Sequence, residues 1–159
     1  MKLHTLKYSC LLTASQEAVC QFHTDTHNLP LITPPWIGVT IVQMDTPMIE
    51  DSHVILDIKR YGLTTRWTMQ IEKLSPPDTI IDLMISGPFT FFRHERRFIA
   101  ISENETRMDE TLAFCLPLGW IGNLLAPFIK KEMDKMFAYR HNATQNYFSP
   151  MIHFSPVGL

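Results

Sequence analysis

Polar and apolar residues alternate along most of this chain. In residues 3–12 (LHTLKYSCLL), His4, Leu6, Tyr8, Cys10 and Leu12 alternate with Thr5, Lys7 and Ser9, the two-residue period of a strand. Thr13 and Gln16 then have the spacing of a capping box, with Ser15 as an alternative cap. Ala18, Val19, Phe22 and His23 form one helical face after it. Pro30, Pro34 and Pro35 forbid one continuous helix through TDTHNLPLITPPW, so a short second helical piece is expected around Thr26–Leu29.

Six strands follow almost without pause: Ile37–Met44, His53–Tyr61, Thr65–Leu74, Thr79–Ser86, Phe89–Ile101 and Thr106–Leu116. Gly62, Ser75-Pro76-Pro77-Asp78, Gly87-Pro88 and Ser102-Glu103-Asn104-Glu105 supply turns between them. The period then changes. Ile121, Leu124, Leu125, Phe128, Ile129, Met136, Phe137 and Arg140 fall close to i, i+3, i+4, i+7, with Lys130, Lys131, Asp134 and Lys135 opposite. This predicts a long amphipathic helix from about Gly119 to about Tyr147, which Pro127 should kink or divide. Residues 1–148 read as one domain, and Ser149–Leu159, with two prolines and no period, as a loosely held tail.

Short turns force antiparallel neighbours. One face of such a sheet must be covered, and only the last helix is long enough: roughly 25 residues span ~38 Å. The predicted class is therefore α+β: a curved seven-stranded antiparallel sheet wrapped around a long C-terminal helix, with two short helices between strands 1 and 2.

Composition narrows the function. Hydrophobic residues make up 45% and charged residues 19%, which excludes a disordered polar chain. Lys+Arg 14 against Asp+Glu 16 leaves a net charge of -2, no field for a phosphate backbone, so nucleic acid is not an expected partner. No apolar run approaches the ~20 residues of a membrane helix, so stable membrane insertion is not expected. Met1 to Leu12 lacks the solid apolar stretch of a signal peptide, and the expected compartment is the cytoplasm. Cys10, Cys20 and Cys115 are scattered and odd in number, as expected of buried apolar residues.

Three stretches carry a family resemblance: FHTDTHNLPLITPPW (Phe22–Trp36), the GPF-x-x-F-x-H-x-R-x-F run at Gly87–Phe98, and TRMDETLAFCLPLGWIG followed by FAYRH (Thr106–Gly122, Phe137–His141). In this order they resemble the START-like superfamily, also called SRPBCC, whose fold is the helix-grip. That superfamily includes polyketide cyclases and dehydrases, lipid-transfer domains and birch-pollen-allergen-type binding proteins. The branch most resembled carries Trp and a second His where this chain has Phe92 and Arg96. The resemblance implies an apolar or amphipathic small molecule held between sheet and helix.

Strand parity makes a sharper statement. The even positions Ile80, Asp82 and Met84; Phe92, His94, Arg96 and Phe98; and Met108, Glu110, Leu112, Phe114 and Leu116 are mostly apolar and should face the helix. Four ionisable residues share that face: Asp82, His94, Arg96 and Glu110. The turns put Asp82 opposite His94 and Arg96 opposite Glu110, about 5 Å apart at Cβ. Buried charges must pair, so two satisfied ion pairs are expected, either structural or forming the polar end of a ligand cavity. Trp67, Met69, Met84, Phe92, Leu112, Phe114 and Phe128 would supply its apolar walls, or plain core. Trp36 would close the rim, and Pro127 would hold the helix off the sheet.

The expected function is binding of a hydrophobic or amphipathic molecule of lipid, polyketide or isoprenoid type, without cofactor or metal. The alternatives are a cyclase or dehydrase with His94, oriented by Asp82, as general acid or base, and an interaction module docking a partner, in one form a homodimer. His23 and His27 have the i, i+4 spacing of metal ligands, but Thr and Asp between them suit a helix end better than a zinc site. Asn142-Ala-Thr144 matches a glycosylation triplet and carries little weight without a secretion signal. No Walker A, G-x-G-x-x-G or G-x-S-x-G occurs to support a nucleotide or hydrolase reading.

Overall fold

The computed structural model describes residues 1–149, and the expected tail lies outside them but for Ser149. Strand β1 (Leu3–Leu12) ends where Ser15 caps helix α1 (Gln16–Thr24): the Ser15 hydroxyl accepts from the Ala18 amide at 3.2 Å. The expected second piece is a 3-10 segment, Thr26–Ile32, capped by the Asp25 carboxylate, which accepts from the His27 amide at 3.0 Å. Pro30 sits within it. Then come β2 (Gly38–Met44), β3 (His53–Arg60), β4 (Leu63–Ser75), β5 (Thr79–Ser86), β6 (Phe91–Ser102) and β7 (Glu105–Cys115).

All neighbours pair antiparallel in one seven-stranded sheet of order β1-β7-β6-β5-β4-β3-β2. Tyr61 and Gly62, at φ 51° and 75°, form the two-residue β3–β4 turn that strand twist favours. Bulges interrupt the ladder at Thr68/Met69 and Ile71/Lys73 in β4. Each adds bend and twist, which curls the sheet.

The C-terminal helix is divided. Helix α2 (Gly119–Leu124) ends at Leu125, and α3 (Ala126–Phe148) starts with Pro127 in its first turn, where the missing N–H has no bond to lose. This break changes the phase of the apolar stripe. Ile121, Leu124, Leu125 and Phe128, which periodicity places on the inner face, are exposed, as is Trp120. The inner face of α3 instead buries Glu132, Phe137 and Thr144. No helix among the described residues is long and apolar enough to cross a membrane.

Two core clusters flank the helix. Met84, Phe92, Leu112, Phe114, Leu116, Ala126 and Phe137 form one, and Leu12, Val19, Cys20, Ile80, Phe98 and Met108 the other. Phe98, Phe114 and Phe137 are among the largest fully buried side chains, each stabilising the fold by about 2–3 kcal/mol. Leu118 and Gly119, both at positive φ (63° and 56°), turn the chain from β7 into α2. The corner is so tight that a Cβ at Gly122 would lie 1.9 Å from the Pro117 carbonyl oxygen. Gly122→Ala is therefore expected to destabilise the fold by about 2 kcal/mol, read as a lower denaturant midpoint. An unchanged midpoint would show that the corner yields.

Candidate ligand-binding site

The curved sheet and α3 do not close on each other. Between them, roofed by the end of α1 and the 3-10 segment, lies a cavity of about 410 Å³. Ile58, Trp67, Met69 and Phe92 wall it from the sheet, and Met133, Met136 and Phe137 from the helix. At one end Asp82, His94 and Arg96 meet His23 and Arg140. Arg60, Tyr61 and Glu132 also border it. Arg60 and Tyr61 both donate to the Glu132 carboxylate, the tyrosine at 2.8 Å, and so join the β3–β4 turn to α3.

The deep polar end is a network. Asp82 stands opposite His94 and Arg96 opposite Glu110, the expected register. The hydrogen bonds, however, run diagonally. Arg96 donates to Asp82, and His94 Nε2 donates to Glu110 Oε2 at 2.6 Å. His94 Nδ1 is 4.0 Å from Asp82 Oδ2. Long side chains on a twisted sheet reach the j±2 neighbour, so facing positions need not bond each other. His141 on α3 donates from Nε2 to the other Glu110 oxygen, also at 2.6 Å. A carboxylate only accepts, so both imidazoles carry their proton on Nε2.

The profile of the family described as "Polyketide cyclase / dehydrase and lipid transport" matches residues 12–138. The chain belongs to this family. No protein with a curated description matches the sequence. Among solved structures, a START superfamily protein from Mycobacterium smegmatis is 17% identical, with a TM-score of 0.72 over 91% of this chain and 97% of that one. The Zhui aromatase/cyclase from Streptomyces sp. R1128 is 16% identical, with a TM-score of 0.74 over 92% and 93%. Ginseng major latex-like protein 151 from Panax ginseng is 12% identical, with a TM-score of 0.70 over 93% and 99%. At these identities the likeness is one of fold, the helix-grip.

In this member of the polyketide cyclase / dehydrase and lipid transport family, Trp67, Met69, Asp82, Phe92, His94, Arg96 and Phe128 border the cavity. The other expected residues do not. Glu110 lies behind the wall, 2% exposed, and acts through His94 and His141. Met84, Leu112 and Phe114 are packed into the core cluster beneath Phe92 and Phe137. Trp36 is half exposed with its ring edge-on to Tyr139, while its neighbours Pro34 and Ile37 border the cavity. His23 and His27 part company at the end of α1: His23 is half-buried with its ring stacked on Phe98, and His27 is exposed and bonded to Asp25.

Sequence reasoning missed Arg140, His141 and Glu132 as site residues. The signal was present for each: an ionisable group inside, or one step beside, an otherwise apolar helical stripe. For His23 the sequence offers a place on the helical face of Ala18, Val19 and Phe22 and a metal-ligand spacing, and neither points to the cavity.

Burial, then the nearby Arg96 cation, pushes the His23 imidazole down to about 3. Burial also lowers His94, although Glu110 opposes it. Burial alone would raise Glu110, but the bonds from His141 and His94 outweigh it and hold the carboxyl well below its ordinary range. All three shifts act in one direction. Below pH ~6.5 the unfolded chain protonates at His23, which the folded chain refuses until about pH 3, so stability falls through that window. The Glu110 contribution is present above ~4.3 and is lost as pH falls toward its depressed folded value. Acidification from pH ~6.5 to ~4 is expected to remove about 3 kcal/mol through His23 alone. His23→Leu should flatten that limb in denaturant titrations across pH. Equal slopes in the two proteins would refute this account of His23.

Proposed function

We propose that this chain binds one hydrophobic or amphipathic small molecule, of lipid, polyketide or isoprenoid type, between the sheet and α3. The observation that supports it is the cavity itself: about 410 Å³, within the usual range for ligand sites, with apolar walls and ionisable groups gathered at its deep end. A core that served only packing would close such a space, because each unfilled methylene-sized void weakens the fold. Membership of a family described by cyclase, dehydrase and lipid-transport activities agrees with a ligand of this class.

The enzymatic alternative would use His94. Its Nε2 is engaged by Glu110, which leaves Nδ1, close to Asp82, as the nitrogen open to a substrate. An imidazole with its basicity lowered by burial suits accepting a hydrogen bond from a ligand hydroxyl better than removing a proton. The lowered basicity of His94 thus speaks for binding over proton removal. In the interaction reading the exposed Trp120 would be the anchor, but that reading leaves the cavity without a role.

The neutral probe N-phenyl-1-naphthylamine is expected to bind saturably at one site, with its fluorescence enhanced. Ile58→Trp, which places an indole in the cavity, should weaken that binding at least ~ten-fold and leave the thermal midpoint within a few degrees. Absent saturable binding, or a variant that binds as the wild type does, would sink the reading.

A further inference from the structure

Arg140 is an exception among the arginines. The chain has seven, and six of them hold a carboxylate: Arg60 with Glu132, Arg66 with Asp57, Arg93 with Glu72 and Glu95, Arg96 with Asp82, Arg97 with Glu95, and Arg107 with Asp109. Most of these lie on the outer surface. Arg140 is half-buried on the cavity wall, and among the described residues its guanidinium makes no salt bridge and no hydrogen bond. Its contact is with the Phe137 ring, whose centroid is 5.4 Å from Cζ.

The nearest acids are already engaged. Asp82 is bonded to Arg96, and the two Glu110 oxygens accept from His94 and His141, so Glu110 and Asp82 act on Arg140 through space and not through a hydrogen bond. A guanidinium keeps its charge in a protein, and Arg140 presents its N–H groups to the cavity with no acceptor bonded to them. Three nitrogens of residues bordering the same space are buried without a partner: His23 Nε2, Arg96 Nε and Arg60 Nε. His23 is neutral at ordinary pH, so it offers a hydrogen bond without adding a second free charge.

Resting on the ligand-binding reading, we propose that the ligand is a monocarboxylic acid whose carboxylate is held by Arg140 while its apolar body fills the cavity. The planar fork of arginine matches a carboxylate bidentately. Phosphate would fit the fork as well, but it brings nearly two negative charges to a space that already holds the Asp82 and Glu132 carboxylates in its lining and Glu110 just behind it. A carboxylate oxygen has capacity for further donors, and the orphaned Arg96 Nε–H and the His23 imidazole stand at the same end of the cavity.

The test compares dodecanoic acid with dodecan-1-ol, which share a chain and differ at the head, by calorimetry at neutral pH. The wild type should bind the acid at least ~ten-fold tighter, the size expected of a bond to a charged group. Arg140→Met should bring the ratio near one and keep the alcohol's affinity. The melting of ligand-free Arg140→Met is read beside that of the wild type, as the check that the variant is folded. Arg140→Lys, which keeps the charge and loses the fork, should retain part of the acid preference.

Equal affinities for acid and alcohol in the wild type would overturn the carboxylate assignment and leave the ligand-binding reading standing. So would an acid preference that survives Arg140→Met. If neither compound nor the neutral naphthylamine probe binds, the ligand-binding reading fails and this assignment with it. A variant that folds poorly would assign Arg140 to the fold, and the wild-type ratio would then decide the question of the ligand.

Discussion

A carboxylate can accept hydrogen bonds but cannot donate one, so Glu110, buried in β7, must be met by donors from whatever surrounds it. One comes from the neighbouring strand, through His94, and the other from α3, through His141. That shared anion is the strut on which the architecture depends. It fixes the distance between α3 and the sheet at the deep end of the cavity, where close apolar packing would otherwise draw them together. Other polar links repeat the device along the helix: Tyr8 donates to Asp134, Arg60 and Tyr61 to Glu132, and Gln145 to the Leu11 carbonyl. The helix is thus hung across the sheet by polar ties, and the space beneath it follows from that suspension.

The sheet was legible in the sequence because a two-residue period survives any amount of twist. Parity placed Asp82, His94, Arg96 and Glu110 on one face, and turn lengths placed them opposite each other, as the ladder has them. Which atoms bond was not legible. That depends on how far an arginine reaches across a twisted ladder, which spacing does not encode. The helix was harder for a related reason. A three-to-four-residue period is only as good as its phase, and Pro127 resets the phase between α2 and α3. Ile121, Leu124 and Leu125 therefore satisfy the pattern and still face outward. The same stripe hid Glu132 and Arg140, because an ionisable residue in an apolar row reads as an interruption until a partner, or the lack of one, is seen.

The division of labour between fold and site follows. Structures no more than 17% identical share the curled sheet and the gripped helix, so few particular side chains are needed to build that frame. The chemistry of this chain's cavity gathers at its polar end. A guanidinium pinned by Asp82, an imidazole kept neutral by burial, and a second guanidinium without a hydrogen bond stand together there. Neutrality at His23 matters there: with a charge, it would stand beside Arg96 and Arg140 as a third cation in a space with no anion to spare.

The corner between β7 and α2 also bears on how the molecule can be rebuilt. With Gly122 pressed against the Pro117 carbonyl and two left-handed residues just before it, that junction has no slack to absorb inserted peptide. The turn between β6 and β7 is its opposite: Glu103 and Asn104 are exposed, and Asn104 is held through its amide to the Ser102 hydroxyl. A fluorescent reporter or fused domain spliced in there would leave the suspended helix undisturbed, whereas the same graft at the glycine corner would pry α2 off its seat.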